Sequence, residues 1–259
     1  MAPACRPFDR SSAYAAILLA AGVCALAGPA PAARPWFNAF GAERTESGHH
    51  GEAPHVARYL VDDGGVFVLD RSAREPLLKF DDSPEIWALF PSRGPRGDVI
   101  YKNDVGEPML RFTRLGGLTV FTVRRPGGSA ASVAGVTSAL RLASIGPVAL
   151  YQRLFQASVR SSRAAQHLVG FEAPDADPAS DGLIADAAVV VTEAMVTLSS
   201  RADGKPFLAR VAKVVFRVGK QPQAKFADGA ISVTLVPPLG IAGRPSSRRI
   251  LWAVSTARR

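Results

Sequence analysis

Cysteine is the scarcest reactive residue: Cys5 and Cys24 are the two in 259 positions. No apolar run after the first thirty residues approaches the roughly 18 residues that a membrane span needs, so a multi-pass membrane protein is excluded. Disorder is excluded by the 47% apolar content, which is too high for a chain that cannot build a core. The 23 Gly and 20 Pro follow no period, which excludes collagen. Catalytic signatures are missing as well. The chain holds no G-x-S-x-G, S-x-x-K, H-E-x-x-H or G-x-x-x-x-G-K-[ST], hence no sequence sign of a serine nucleophile, a zincin or a P-loop. What remains is a globular chain long enough for one large or two small domains.

The first 32 residues read as an export signal. Arg6 and Arg10 precede an apolar stretch centred on Ile17, Leu18 and Leu19, and the segment ends Ala30-Pro31-Ala32. A basic head, a short apolar centre and an A-x-A end form the secretory pattern, with cleavage expected after Ala32. The competing reading is a retained anchor, but Pro29 and Pro31 would break a helix there. Both cysteines fall in this segment. The mature chain would then hold no disulfide, thiolate metal site or cysteine nucleophile, and no transmembrane span.

The remainder divides by composition. Residues 33–55 read as a flexible leader, with Trp36, Phe37 and Phe40 as its apolar exceptions and His49, His50 and His55 as a loose cluster. Without a carboxylate at fixed spacing that cluster reads as solvated loop, so no metal site is expected. Residues 56–125 carry about seven short apolar and β-branched runs separated by turn residues. This predicts an antiparallel meander curling into a sandwich or partial barrel. Residues 126–146 are rich in Gly, Ser and Ala and read as a connection with at most a weak strand near 140–142.

Residues 147–259 read as mainly helical, packed with the β region as one extended α+β domain. Pro147 opens one helix and Gly170 closes it. A second, over 182–200, shows a wide apolar stripe at 3.6-residue spacing, including Leu183, Val190, Val191 and Leu198. The run 207–218 has helical spacing but β-branched content; the spacing favours helix. Residues 230–236 give the one late strand. A short helix over 246–257 is capped by Ser246 or Ser247.

Charge is lopsided. Residues 205–259 hold eleven Lys or Arg and one acid, Asp228, whereas residues 33–204 hold 18 bases and 20 acids. Such asymmetry points to an anionic partner, with Arg244, Arg248, Arg249, Lys213 and Arg217 as the candidate contacts. For an exported protein the partner class is a lipid head group, lipopolysaccharide or cell-wall polymer; nucleic acid is not expected. The competing reading is internal: the tail packs against the slightly acidic body of residues 33–204, beside the acidic loop at 172–181. Arg also outnumbers Lys 25 to 6, which fits a GC-rich genome and warns against reading each Arg as a chosen contact.

The densest polar stretch is Lys102-Asn103-Asp104-Val105-Gly106-Glu107-Pro108. Asp104 and Glu107 are weak candidates for the acid/base pair of a cell-wall or carbohydrate hydrolase, but Asn-Asp-x-Gly between strands is also ordinary hairpin chemistry. Asp81, Asp82 and Glu85 read the same way. Arg96-Gly97-Asp98 matches an adhesion tripeptide by letters alone. No cofactor is implied.

Several stretches carry a resemblance. They are Phe67-Val68-Leu69-Asp70-Arg71-Ser72, Phe80-Asp81-Asp82-Ser83-Pro84-Glu85, the run from Gly97 to Pro108, Arg114-Leu115-Gly116-Gly117 and Ala242-Gly243-Arg244-Pro245-Ser246-Ser247. Together they resemble an uncharacterised family of exported alphaproteobacterial proteins, a domain of unknown function. The resemblance implies export and a single extended domain, and brings no activity, ligand or catalytic residue. The leading expectation is therefore a non-enzymatic envelope protein with a basic binding segment; the hydrolase is the alternative.

Overall fold

Short alternating runs joined by tight turns make the first half of the fold. The computed structural model describes residues 54–257, all within the compact unit Gly51–Arg259. The expected signal segment and nearly all of the expected leader lie outside the described residues. Nine strands follow one another: β1 (Val56–Val61), β2 (Val66–Asp70), β3 (Leu77–Phe80), β4 (Ile86–Ala88), β5 (Phe90–Arg93), β6 (Val99–Lys102), β7 (Pro108–Phe112), β8 (Leu118–Val120) and β9 (Ser129–Val136). All neighbours are antiparallel, in the order β4-β3-β2-β1-β9-β8-β7-β6-β5. The two edges, β4 and β5, are separated in the chain by Leu89 alone. One continuous stretch thus belongs to both edges, so the sheet curls round on itself into a barrel.

Period-two alternation fills the barrel. Ala57, Tyr59 and Val61 of β1 point inward with Phe67 and Leu69 of β2, Leu78, Leu89, Leu110, Leu118 and Val120. Tyr59 stacks on Phe67 with ring centres 5.1 Å apart. Burial is the main cause that pushes the Tyr59 phenol up, and the Arg71 charge acts against it. Three hairpins use one device, in which the first residue of the turn bonds the fourth and fifth. In the Asn103 turn, Asn103 N–H donates to Glu107 O and Gly106 N–H to Asn103 O, both at 3.0 Å. Gly106 takes φ 89° there, a conformation that favours glycine.

The expected connection over 126–146 contains β9, which the residue pattern hides. Ser129-Ala130-Ala131-Ser132 offers few β-branched side chains, yet β9 closes the sheet by pairing with β1 on one side and β8 on the other. Ladder hydrogen bonds override weak propensity here.

The second half is α1 (Pro147–Ala165), β10 (Gly170–Glu172), α2 (Asp181–Ser199), α3 (Lys205–Leu208), β11 (Lys213–Val218), β12 (Gln223–Ala227), β13 (Ala230–Leu235) and α4 (Ser247–Thr256). Pro147 starts α1, and Ser246 caps α4 by accepting from Arg249 N–H at 3.2 Å. The C-terminal half holds four strands rather than one late strand, ordered β10-β11-β13-β12. The run 207–218 is corrected from helix: α3 ends at Leu208 and β11 follows, as its Val and Phe content favours.

α1, α2 and α4 cover one face of this sheet and bury Val214, Phe216, Ile231, Val233 and Leu235. α2 is apolar nearly all round, with mean hydropathy 1.6 over 19 residues, enough by length and composition to cross a membrane. Its Leu183, Ile184, Val190, Val191, Ala194 and Met195 are instead all in the core, which makes it the central helix of a packed layer. Gly182 lets this helix start against the preceding connection: a Cβ there would sit 2.5 Å from the Ala143 carbonyl oxygen.

Leu89 joins the two edges of the barrel and is fully buried, whereas Leu60 is 48% exposed. Leu89→Ala is expected to cost about 2–5 kcal/mol in urea unfolding. Leu60→Ala should stay within about 0.5 kcal/mol of the parent. Equal losses would place the barrel core elsewhere.

Candidate functional site

Five of the seven sequence-predicted residues, Asp104, Glu107, Arg244, Arg248 and Arg249, converge on the joint between barrel and helical layer. Gly243 makes the approach possible, since a Cβ there would lie 2.1 Å from the Val236 carbonyl oxygen. The next residue, Arg244, is 4% exposed. Its Nε donates to Asp186 Oδ2 on α2, and its Nη2 donates to the Ile86 carbonyl at 2.8 Å. Glu85 Oε1 stands 3.8 Å from Nη1. A buried guanidinium is tolerated only when paired and hydrogen-bonded, and here both halves of the fold supply the partners.

The start of α4 completes the joint. Its free N–H groups and positive end attract carboxylates. Glu85 accepts from Ser247 N–H at 2.9 Å and from Ser247 Oγ at 2.5 Å. Asp104 accepts from Ser246 N–H at 3.0 Å, from Ser246 Oγ and from Arg249 Nε at 3.1 Å. Arg249 also donates to the Asp104 carbonyl. Glu107 is 3.3 Å from Arg248 and accepts from the Asn103 amide at 3.0 Å. Burial is the strongest influence on Glu85 and pushes its carboxyl up, outweighing Arg244 and the two Ser247 donors.

The predicted pair Asp104 and Glu107 therefore does not stand as a free acid and base. Each carboxylate is held by a different arginine, and neither lines the cavities of about 210 and 410 Å³ that the described residues form. The structure places Arg244, Arg248 and Arg249 in the joint, where their guanidinium groups meet the chain's own carboxylates. Those carboxylates come from the barrel and α2, within the body that the internal reading set against the tail. Lys213 and Arg217 lie apart, on the uncovered face of the second sheet. Lys213 Nζ is 3.2 Å from Glu172, and Arg217 has no carboxylate partner among the described residues.

Sequence reasoning weighed Glu85 as turn chemistry and linked neither it nor Asp186 to Arg244. Glu85 follows Ser83-Pro84 in what reads as an ordinary turn, but it is 2% exposed. Asp98 is likewise 6% exposed and bound to Arg111 Nε at 2.7 Å. The Arg111 hydrogen bond is the chief cause that holds its carboxyl below the usual range, and the Arg-Gly-Asp letters do not present it outward. Among the described residues no group of three His, Cys, Asp or Glu could hold a metal ion.

Removing Arg244 strands Glu85 and Asp186 without their counter-charge. Arg244→Met is expected to lose about 3–5 kcal/mol at pH 8. The sign follows from Glu85: its folded pKa lies above its unfolded value, so protonation at acid pH favours the folded state and stability falls as pH rises. The loss at pH 5 should be smaller than at pH 8 in urea unfolding. An equal loss at both values would remove Glu85 from the account.

Comparison with known proteins returns one match. No curated protein and no solved structure matches the chain. The family model Domain of unknown function (DUF4908) matches residues 39–254, well over half of the sequence and all but the ends of the architecture described above. The chain belongs to the DUF4908 family.

Proposed function

We propose that this is an exported cell-envelope protein of non-enzymatic kind, which binds an anionic surface or polymer through the uncovered face of its second sheet. The observation that carries this reading is the register of the sheet. β11 and β13 are parallel, with Lys213 beside Ala230, Val215 beside Ser232 and Arg217 beside Thr234. β12 and β13 are antiparallel, with Lys225 beside Ser232 and Gln223 beside Thr234. Paired residues share a face. Since Ile231, Val233 and Leu235 face the helices, the opposite face collects Lys213, Arg217, Lys225, Ser232, Thr234 and Gln223 around the buried Val215, with Glu172 of β10 at its edge paired to Lys213.

Arg217 and Lys225 are exposed. At about 4.8 Å between strands and about 3.3 Å per residue, the three cations stand roughly 10–14 Å apart. That spacing suits several phosphates or carboxylates of a repeating partner rather than one small anion, and the hydroxyl and amide groups between the cations supply donors. The lipid head group, lipopolysaccharide and cell-wall polymer all share this chemistry. A hydrolytic role for Asp104 and Glu107 has no such support, because both are held within the joint.

Binding should be to charge and should fall with salt. The protein is expected to co-sediment with phosphatidylglycerol-containing vesicles and not with phosphatidylcholine alone. The double variant Arg217→Glu/Lys225→Glu should weaken this by about tenfold or more, while Arg153→Glu on α1 leaves it unchanged. Salt-indifferent binding, or equal loss in both variants, would overturn the proposal.

A further inference from the structure

The larger cavity, of about 410 Å³, opens between the N-terminal half of α1, β10 and the loop that leads into α2. Leu150, Leu154, Phe171 and Tyr151 form its apolar wall, and Asp177 and Asp181 are the two charged groups that line it. The volume falls in the range of small-molecule sites.

Asp181 is the unusual member. It is the first residue of α2 and is 2% exposed. Its neighbours on the same stretch are all engaged. Glu172 meets Lys213, Asp175 accepts from Val218 N–H, Asp177 accepts from Ser180 N–H, and Asp186 takes Arg244. Ser180 Oγ, the nearest hydroxyl in sequence, is spent on the Asp177 backbone. Among the acids of this stretch the Asp181 carboxylate alone receives no hydrogen bond and no ion pair from the described residues, and Asp181 lines the cavity. Buried carboxylates are ordinarily supplied with donors. The positive end of α2 favours its charge without supplying a partner.

We propose that this cavity binds a small organic cation, a protonated amine carried on an apolar body, with the ammonium against Asp181 and the body along Leu150, Leu154 and Phe171. Three observations select that ligand class. An ammonium supplies the donors that the carboxylate lacks. The rings of Phe171 and Tyr151 favour cations at their faces. Two carboxylates among apolar walls fall well short of the six to eight oxygens that calcium takes. Asp177, whose carboxyl its hydrogen bonding with Ser180 holds below the usual range, adds a second negative charge.

The test is calorimetric titration of the full chain with hexylammonium, hexanol and hexanoate, which share a body and differ in charge. Hexylammonium is expected to bind one site saturably and at least about tenfold more tightly than hexanol, the scale of one charged hydrogen bond. Hexanoate should not bind. Asp181→Asn should erase the preference for the amine while leaving the thermal melt cooperative. Ala176→Trp, at an exposed position of the cavity wall, should block both ligands with Asp181 in place. Equal binding of hexanol and hexylammonium, a preference that survives Asp181→Asn, or no saturable binding at all would each overturn the assignment.

Discussion

A guanidinium shut away from water decides how this molecule is put together. Arg244 follows a glycine that no larger residue could replace without moving Val236. Its charge is admissible only because Glu85 from the barrel side and Asp186 from α2 both reach it. Neither half of the fold could bury that arginine alone. The interaction therefore does more for specificity than for stability: an ion pair replaced by apolar groups is often neutral, while half an ion pair is costly. The packing of β barrel on helical layer inherits that requirement, and the DUF4908 match spans both halves.

The same joint takes up the hairpin that has the look of a catalytic constellation. The Asn103 turn places Gly106 in a left-handed conformation, which leaves Asp104 projecting from the end of the barrel. There it meets the N-terminus of α4, where unpaired N–H groups of Ser246 and Ser247 call for acceptors. Two barrel carboxylates, Asp104 and Glu85, answer that need. Asp104 is thus held by helix-end electrostatics and Arg249, and Glu107 beside it by Arg248 and the Asn103 amide.

Much of this architecture was legible in the residues. Turns with Asp-Asp-Gly-Gly and Asn-Asp-x-Gly delimit strands whatever surrounds them, and Pro147 and Ser246 mark helix starts by local chemistry. What escaped was set by distant partners. β9 is a run of small residues that becomes a strand because β1 and β8 need a neighbour to close the sheet. β12 is short and carries Lys225, and it is ordered by its ladder with β13. At 207–218 helical spacing and β-branched content disagreed, and pairing with β13 decided for the strand from Lys213. The charge asymmetry was equally plain, but its resolution was not, since Glu85 lies 162 positions before Ser247 and no local pattern links them.

What the tail does with its charge can be argued one side chain at a time. Arg244, Arg248 and Arg249 are consumed in the joint. Arg210 lies over the Phe226 ring and donates to the Ala257 carbonyl, and Lys213 is shared with Glu172. Arg258 and Arg259 lie outside the described residues. Lys205, Arg217, Lys220 and Lys225 remain, and three of these four fall on β11, β12 or the turn between them. An excess spread by composition alone would leave its unspent members scattered. Instead two of the four, Arg217 and Lys225, share one sheet face, and Lys220 sits in the turn that joins their strands. The one buried acid of the 172–186 stretch without a partner sits in a cavity built by other elements, α1, β10 and the loop before α2. The fold thus leaves uncompensated charge of opposite sign in two places, cations on the second sheet and a carboxylate at the cavity, and it is on this uncompensated charge that both proposed partners are argued.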